Sequence, residues 1–149
     1  MAMAILQDLL QEYINSLFVE ELVNDQFLSL KNTEELDCVV QMIEKYFEYV
    51  DMILPELSCQ FDNSKVDFSK LASLVREIEE KSTSIGTEHM RLACSVLIKA
   101  CDEKNKKNFT QSLLWLKREF SNTKNKLTSI IQMERRIRRL KEKRLRSLN

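Results

Sequence analysis

The residues whose types and spacing bear on chemistry gather in one stretch, Arg76-Glu77-Ile78-Glu79-Glu80-Lys81-Ser82-Thr83-Ser84-Ile85-Gly86. It offers a guanidinium, three carboxylates, an ammonium and a run of hydroxyls before the only glycine of the chain. Arginine stays protonated and presents donors only, so Arg76 acts as a fixed cation and not as a nucleophile or base. The single histidine, His89, follows between Glu88 and Met90. It reads as a solvated helix-surface residue, since no neighbouring groups prepare it as an acceptor or base. Cys38, Cys59, Cys94 and Cys101 fall at no zinc-binding spacing, and one histidine does not complete a Cys/His site. No metal and no cofactor is expected. Cys94 and Cys101 lie seven apart in one helical pattern and read as core thiols; all four cysteines are expected reduced and mostly buried, as in an intracellular protein.

The elements that must position this stretch are helices. In 149 residues there is one Gly and one Pro, too little punctuation for a sheet with tight turns. Apolar residues recur in helical spacing almost throughout. Ile5, Leu6, Leu9, Leu10, Tyr13, Ile14, Leu17 and Phe18 form one stripe, and Phe27, Leu28 and Leu30 a shorter one. Asn32-Thr33-Glu34-Glu35 reads as a cap opening a helix with Leu36, Val39, Val40, Ile43, Phe47, Val50 and Leu54 inside. Pro55 should kink that helix or weaken its end. After a loop over 61–67, Asp67 should cap a helix that buries Leu71, Leu74, Val75, Ile78, Ser82 and Ile85. Gly86 fits a left-handed helix end and Thr87 the next cap. A fifth segment carries Met90, Ala93, Cys94, Leu97, Ile98 and Cys101. After a break over 102–108, a long helix runs from Phe109 into the basic end of the chain, with Trp115 and Phe120 in or at the edge of the bundle. The expected fold is all-α: an antiparallel four-helix bundle with additional N-terminal helices and a long C-terminal helix. The expected division is a helical domain over 1–133, with its bundle core at about 36–133, and a basic helical extension over 134–149.

Net charge is zero, yet residues 1–60 hold twelve acidic side chains against Lys31 and Lys45. Residues 134–146 hold eight bases against Glu134 and Glu142. The basic end either pairs with the acidic half as a solvated extension or meets an anionic partner: a nucleic acid, a membrane or an import receptor. It has no aromatic residue to stack on bases. No stretch has the apolar length of a membrane-spanning helix, and the first ten residues lack a basic leader, so no signal peptide is expected.

The order VDFSKLASLVREIEEKSTSIGTEHMRLAC, then CDEKN, WLKREFSNTKNKL and QMERRI, with DQFLSL upstream, resembles plant histidine-containing phosphotransfer proteins over most of residues 22–137. The resemblance implies a helical bundle, placed in cytoplasm and nucleus. Such proteins carry a phosphoryl group between the receiver domains of hybrid sensor kinases and response regulators, notably in cytokinin signalling. A monomer is expected. Where that family reads His-Gln-x-Lys-Gly-Ser-Ser, this chain reads Arg76-Glu77-Ile78-Glu79-Glu80-Lys81-Ser82. Arg76 thus stands at the phospho-accepting position, Glu79 at that of the lysine and Glu80 at that of the glycine. The chain reads as a pseudo-phosphotransfer protein and not as an enzyme.

The departures remove three requirements together. A neutral imidazole, with an ordinary pKa of about 6.5, attacks a phosphoryl group; a guanidinium does not. Transfer needs positive charge beside the equatorial oxygens, and Glu79 is negative. Glu80 adds bulk and charge where glycine permits close approach. At about 100° per residue, Arg76 and Glu80 face away from the buried side with Ser69, Ser73 and Thr83 nearby. With Glu79, these make up the candidate receiver-docking residues. Arg76 either pairs within its own helix with Glu79 and Glu80, or enters the acidic pocket that the resemblance implies for a receiver. The functional expectation is a negative modulator that occupies receivers without relaying phosphate. The alternative is a divergent helical scaffold that works through its basic C-terminal helix.

Overall fold

The computed structural model describes residues 1–148, which form six helices: α1 Ala2–Val19, α2 Asp25–Thr33, α3 Leu36–Phe61, α4 Phe68–Ile85, α5 Glu88–Asp102 and α6 Lys106–Leu148. Helix α4 packs on α3 and α5, and α6 packs on α5 and α3, which closes a four-helix ring. Helix α1 lies along α6, and α2 fills the angle between α3 and α4. The expected all-α bundle with added N-terminal helices is therefore what the chain adopts. No described helix is long and apolar enough to cross a membrane.

Every bundle helix buries one stripe, which is what the 3.6-residue period requires. Ile43, Leu57, Leu71, Ile78, Leu97 and Leu116 are fully enclosed. Phe109 closes one end of the core, stacked on Phe61 at 4.6 Å between centroids and edge-on to Phe68 at 6.3 Å. Asp67 caps α4 by accepting from the Lys70 amide at 3.2 Å. Helix α4 stops at Gly86, whose φ of 88° is left-handed and whose amide donates to Ser82 O. A β-carbon at Gly86 would stand 2.4 Å from the Phe27 amide nitrogen, so this turn seats α2 by direct backbone approach. Asn24 N–H donates to Gly86 O and Glu88 N–H to Leu22 O, which completes the join.

Several expectations are corrected. Asn32 and Thr33 belong to the last turn of α2, and α3 opens after Glu35 with no side-chain cap. The side-chain cap in this region is Asn24, which accepts from the Gln26 amide. Pro55 does not end α3, which runs on to Phe61 because Ile53, Leu54 and Leu57 are held in the core on either side of it. The break before α6 shortens to residues 103–105. Thr87 stands at the N-cap position of α5 as expected, but its side chain makes no capping bond, because its hydroxyl donates to Tyr46 Oη. Leu74 is only half-buried; α4 is turned so that Ala72 enters the core. Ile5 and Phe18 are exposed, since α1 buries Leu10, Ile14 and Leu17 fully and packs Met3, Leu6 and Tyr13 at the margin of the core. Cys38 and Cys59 are exposed, whereas Cys94 and Cys101 are buried free thiols. Helix α6 passes through 133–134 without a break, and Ile137 is still in the core. Residue 149, the last of the proposed extension, lies outside the described residues.

The burial pattern of α4 makes a direct prediction. Leu71→Ala should destabilise the fold by about 2–5 kcal/mol, as expected for a fully enclosed leucine. Arg76→Ala should change stability by less than about 1 kcal/mol, as for an exposed ion-pair member. Paired chemical denaturation curves check the orientation of the helix: equal losses would mean that α4 is rotated.

Candidate functional site

Helix α4 is held from below by Leu71, Ala72, Val75, Ile78, Ser82 and Ile85, all buried. Ser82 is locked as well as buried: its hydroxyl lies 2.7 Å from Tyr46 Oη, which also accepts from Thr87 Oγ1 at 3.0 Å. Burial pushes the Tyr46 phenol pKa upward, with the Ser82 and Thr87 contacts opposing that shift. These neutral hydroxyls tie α3, α4 and the Gly86 turn together.

The opposite side of α4 is open. Ser69, Ser73, Arg76, Glu80 and Thr83 are all exposed, and helical geometry puts them within an arc of about 80°. The structure thus brings five of the six candidate docking residues onto one face. The sixth, Glu79, is half-buried toward α5, where its Oε2 accepts from Ser95 Oγ at 3.1 Å. Arg76 pairs with neither Glu79 nor Glu80. Its Nη2 lies 3.7 Å from Asp102 Oδ1 at the end of α5, with both side chains more than half exposed. Asp102 was not apparent from the linear pattern because it belongs to the next helix. The antiparallel return of α5 brings it alongside.

Such an exposed pair is worth at most about 1 kcal/mol, so the guanidinium exchanges partners at little cost. Beside it, Glu77 accepts from Tyr49 Oη at 2.9 Å, and Lys81 Nζ stands 5.2 Å from the centre of the Tyr49 ring. Between α2, α3 and α4 lies an open groove of about 430 Å³ whose lining includes Leu30, Met42, Tyr46, Tyr49, Lys45 and Lys81. Its apolar floor and ammonium rim adjoin the C-terminal half of α4. Sequence reasoning missed it because its walls come from three elements.

The buried thiols and the histidine are held within the fold. Burial pushes the Cys94 thiol up to about 12, with Glu79 adding to the shift. Burial likewise takes Cys101 to about 11, reinforced by Asp102 and opposed by Arg76. Both are poor nucleophiles at neutral pH. His89 is half-buried and not fully solvated as expected, with Nδ1 at 3.4 Å from Glu119 Oε2. It sits on α5, off the open face of α4. No group of three or more metal-ligating side chains occurs among the described residues.

A bundle whose α4 is pinned from beneath and exposed on its opposite face defines the class of the protein as an all-helical bundle. Comparison with known proteins gives the class its family. No family model matches the chain. Histidine-containing phosphotransfer protein 1 of Arabidopsis thaliana is 33% identical over 134 residues, covering 88% of this chain and 87% of that protein. A rice protein, pseudo histidine-containing phosphotransfer protein 2, is 28% identical over 125 residues and covers 82% of this chain and 83% of its own length. In three dimensions, a histidine-containing phosphotransfer protein from rice superposes with a TM-score of 0.88 at 24% identity, over 93% of this chain and 99% of its own. The chain belongs to the histidine-containing phosphotransfer protein family.

Proposed function

We propose that this chain binds receiver domains of hybrid histidine kinases or response regulators without accepting their phosphoryl group, and so damps a two-component phosphorelay of the cytokinin type. The observation that carries the reading is Arg76: an exposed guanidinium on the open face of α4, a helix with no histidine anywhere along it. A donor-only group there contributes attraction to an acidic receiver pocket and no nucleophile. The serine and threonine positions around it stay exposed, so a partner meets an unobstructed helix face. The apolar groove beside α4 offers an anchor point next to it. Glu79 is turned toward Ser95, so Glu80 is the carboxylate that a docking receiver meets most directly. The proposed compartments are cytoplasm and nucleus.

Calorimetric titration of purified receiver domains tests this. Arg76→Glu should weaken the complex about tenfold or more, as for reversal of a charge at an electrostatically matched contact. Glu80→Gln should tighten it by removing like charge. Lys107→Glu, an exposed change at the start of α6, serves as the control for overall charge and should leave affinity nearly unaltered. Equal affinity for all four proteins would remove the face around residue 76 as the docking site.

A further inference from the structure

Helix α6 continues for eleven residues past Ile137, the last core residue. The acidic half of the chain does reach the start of this segment. Arg135 pairs with Glu44 at 2.8 Å, and Arg138 pairs with Asp37 at 2.7 Å. There the complementarity ends. Arg136, Arg139, Lys141, Lys143, Arg144 and Arg146 form no ion pair among the described residues. All six are exposed, and Glu142 is the one acidic residue among them.

Their placement follows a pattern. Arg136, Arg139, Lys143 and Arg146 recur at helical spacing, which at 100° per residue confines them to an arc of about 80°. That arc points away from the side on which Ile130, Glu134 and Ile137 are buried. The stripe is about 15 Å long at 1.5 Å per residue. Like charges three and four positions apart destabilise an isolated helix, so the stripe is a surface whose repulsion an anionic partner relieves.

We infer that this stripe is a binding surface for the phosphate backbone of a nucleic-acid duplex. A duplex presents about one negative charge per 1.7 Å of axis, so a row of four cations about 15 Å long meets more phosphate charge than it carries. Single strands fit less well, because the segment has no aromatic side chain on which bases stack. A lipid surface also fits less well. The accessible apolar side is limited to Leu140, Leu145 and Leu148, with Lys141 and Arg144 interrupting it, whereas an interfacial helix needs a continuous apolar face. Binding would be independent of base sequence, since nothing in the stripe is built to read base edges.

Fluorescence anisotropy with the full chain and a labelled DNA duplex of about 20 base pairs tests the inference. Four phosphate contacts predict a log–log salt slope of about −3.6, hence a loss of about 150-fold between 50 and 200 mM salt. Combining Arg136→Gln, Arg139→Gln, Lys143→Gln and Arg146→Gln should abolish most binding and flatten the slope. Replacing the three arginines by lysine should preserve both, which separates lost charge from a melted helix. Arg76→Glu should bind the duplex as the unaltered chain does, so this surface stands or falls apart from the receiver-docking reading. Three results would each overturn the inference: duplex binding that survives the four glutamines, no duplex binding at 50 mM salt, or tighter binding to phosphatidylcholine–phosphatidylserine vesicles than to the duplex.

Discussion

Incubated with a phosphorylated receiver domain, the unaltered chain should stay unlabelled, while the triple variant Arg76→His, Glu79→Lys, Glu80→Gly should take up phosphate at position 76. Position 76 is already accessible, with the arginine side chain 54% exposed. The helix beneath it is fixed by Leu71, Val75, Ile78 and the buried Ser82 hydroxyl, so the three changes fall on an intact support. Histidine supplies the lone pair, lysine the cation beside the equatorial oxygens, and glycine the clearance. Glycine in mid-helix costs about 1 kcal/mol, which this packing can absorb.

Arg76→His alone should label at least about 100-fold more slowly than the triple variant, the usual loss when a charge-stabilising group is missing. The structure adds a fourth contributor. Asp102 lies beside the residue 76 side chain and would repel an incoming phosphoryl group, so adding Asp102→Asn should raise labelling further. The label should be acid-labile and alkali-stable, as a phosphoramidate is, and peptide mapping should place it at residue 76. Comparable labelling of the unaltered chain, at His89 or elsewhere, would falsify the reading of a non-relaying protein.

Gly86→Ala should be among the most damaging single substitutions in the chain. The left-handed backbone alone costs a non-glycine residue about 1–3 kcal/mol. The added carbon would also stand 2.4 Å from the Phe27 amide nitrogen and 2.7 Å from Asn24 Oδ1. The first neighbour is backbone in a helix and cannot swing aside, so α2 must move. Gly86→Asn separates the two causes. Asparagine tolerates left-handed φ better than alanine, yet carries the same β-carbon. If steric contact with α2 dominates, the two variants should lose similar stability in thermal unfolding. Near-native stability for Gly86→Asn would assign the effect to φ alone. In either damaged variant the groove lined by Leu30 and Tyr49 should open, because one wall is α2.

The helix count, the Asp67 cap and the Gly86 stop were legible because each is a local matter of period, capping chemistry or a positive φ. The exposed face of α4 was legible for the same reason, since Ser69, Ser73, Arg76, Glu80 and Thr83 follow from 100° steps around a helix whose apolar side is plain. Leu74 shows the limit of that reasoning. It sits at the margin of the stripe, and the rotation set by α3 and α5 put Ala72 inside in its place. The Asn32 cap failed because its residues are equally acceptable in a last helical turn, and α2 extends through them.

What the amino-acid sequence determined by itself is the chemistry that residue 76 lacks: a guanidinium has no lone pair to offer in any fold. It also determined that this residue lies on a helix and away from its buried side. Only the tertiary structure decided what surrounds it. The pairing of Arg76 with Asp102, the turn of Glu79 toward Ser95 and the groove beside α4 each require two or three elements to meet. So does the division of the basic end into a part paired with α3 and a part left bare. Spacing along one chain sets which residues share a face of their own helix, whereas contacts between faces depend on how helices pack.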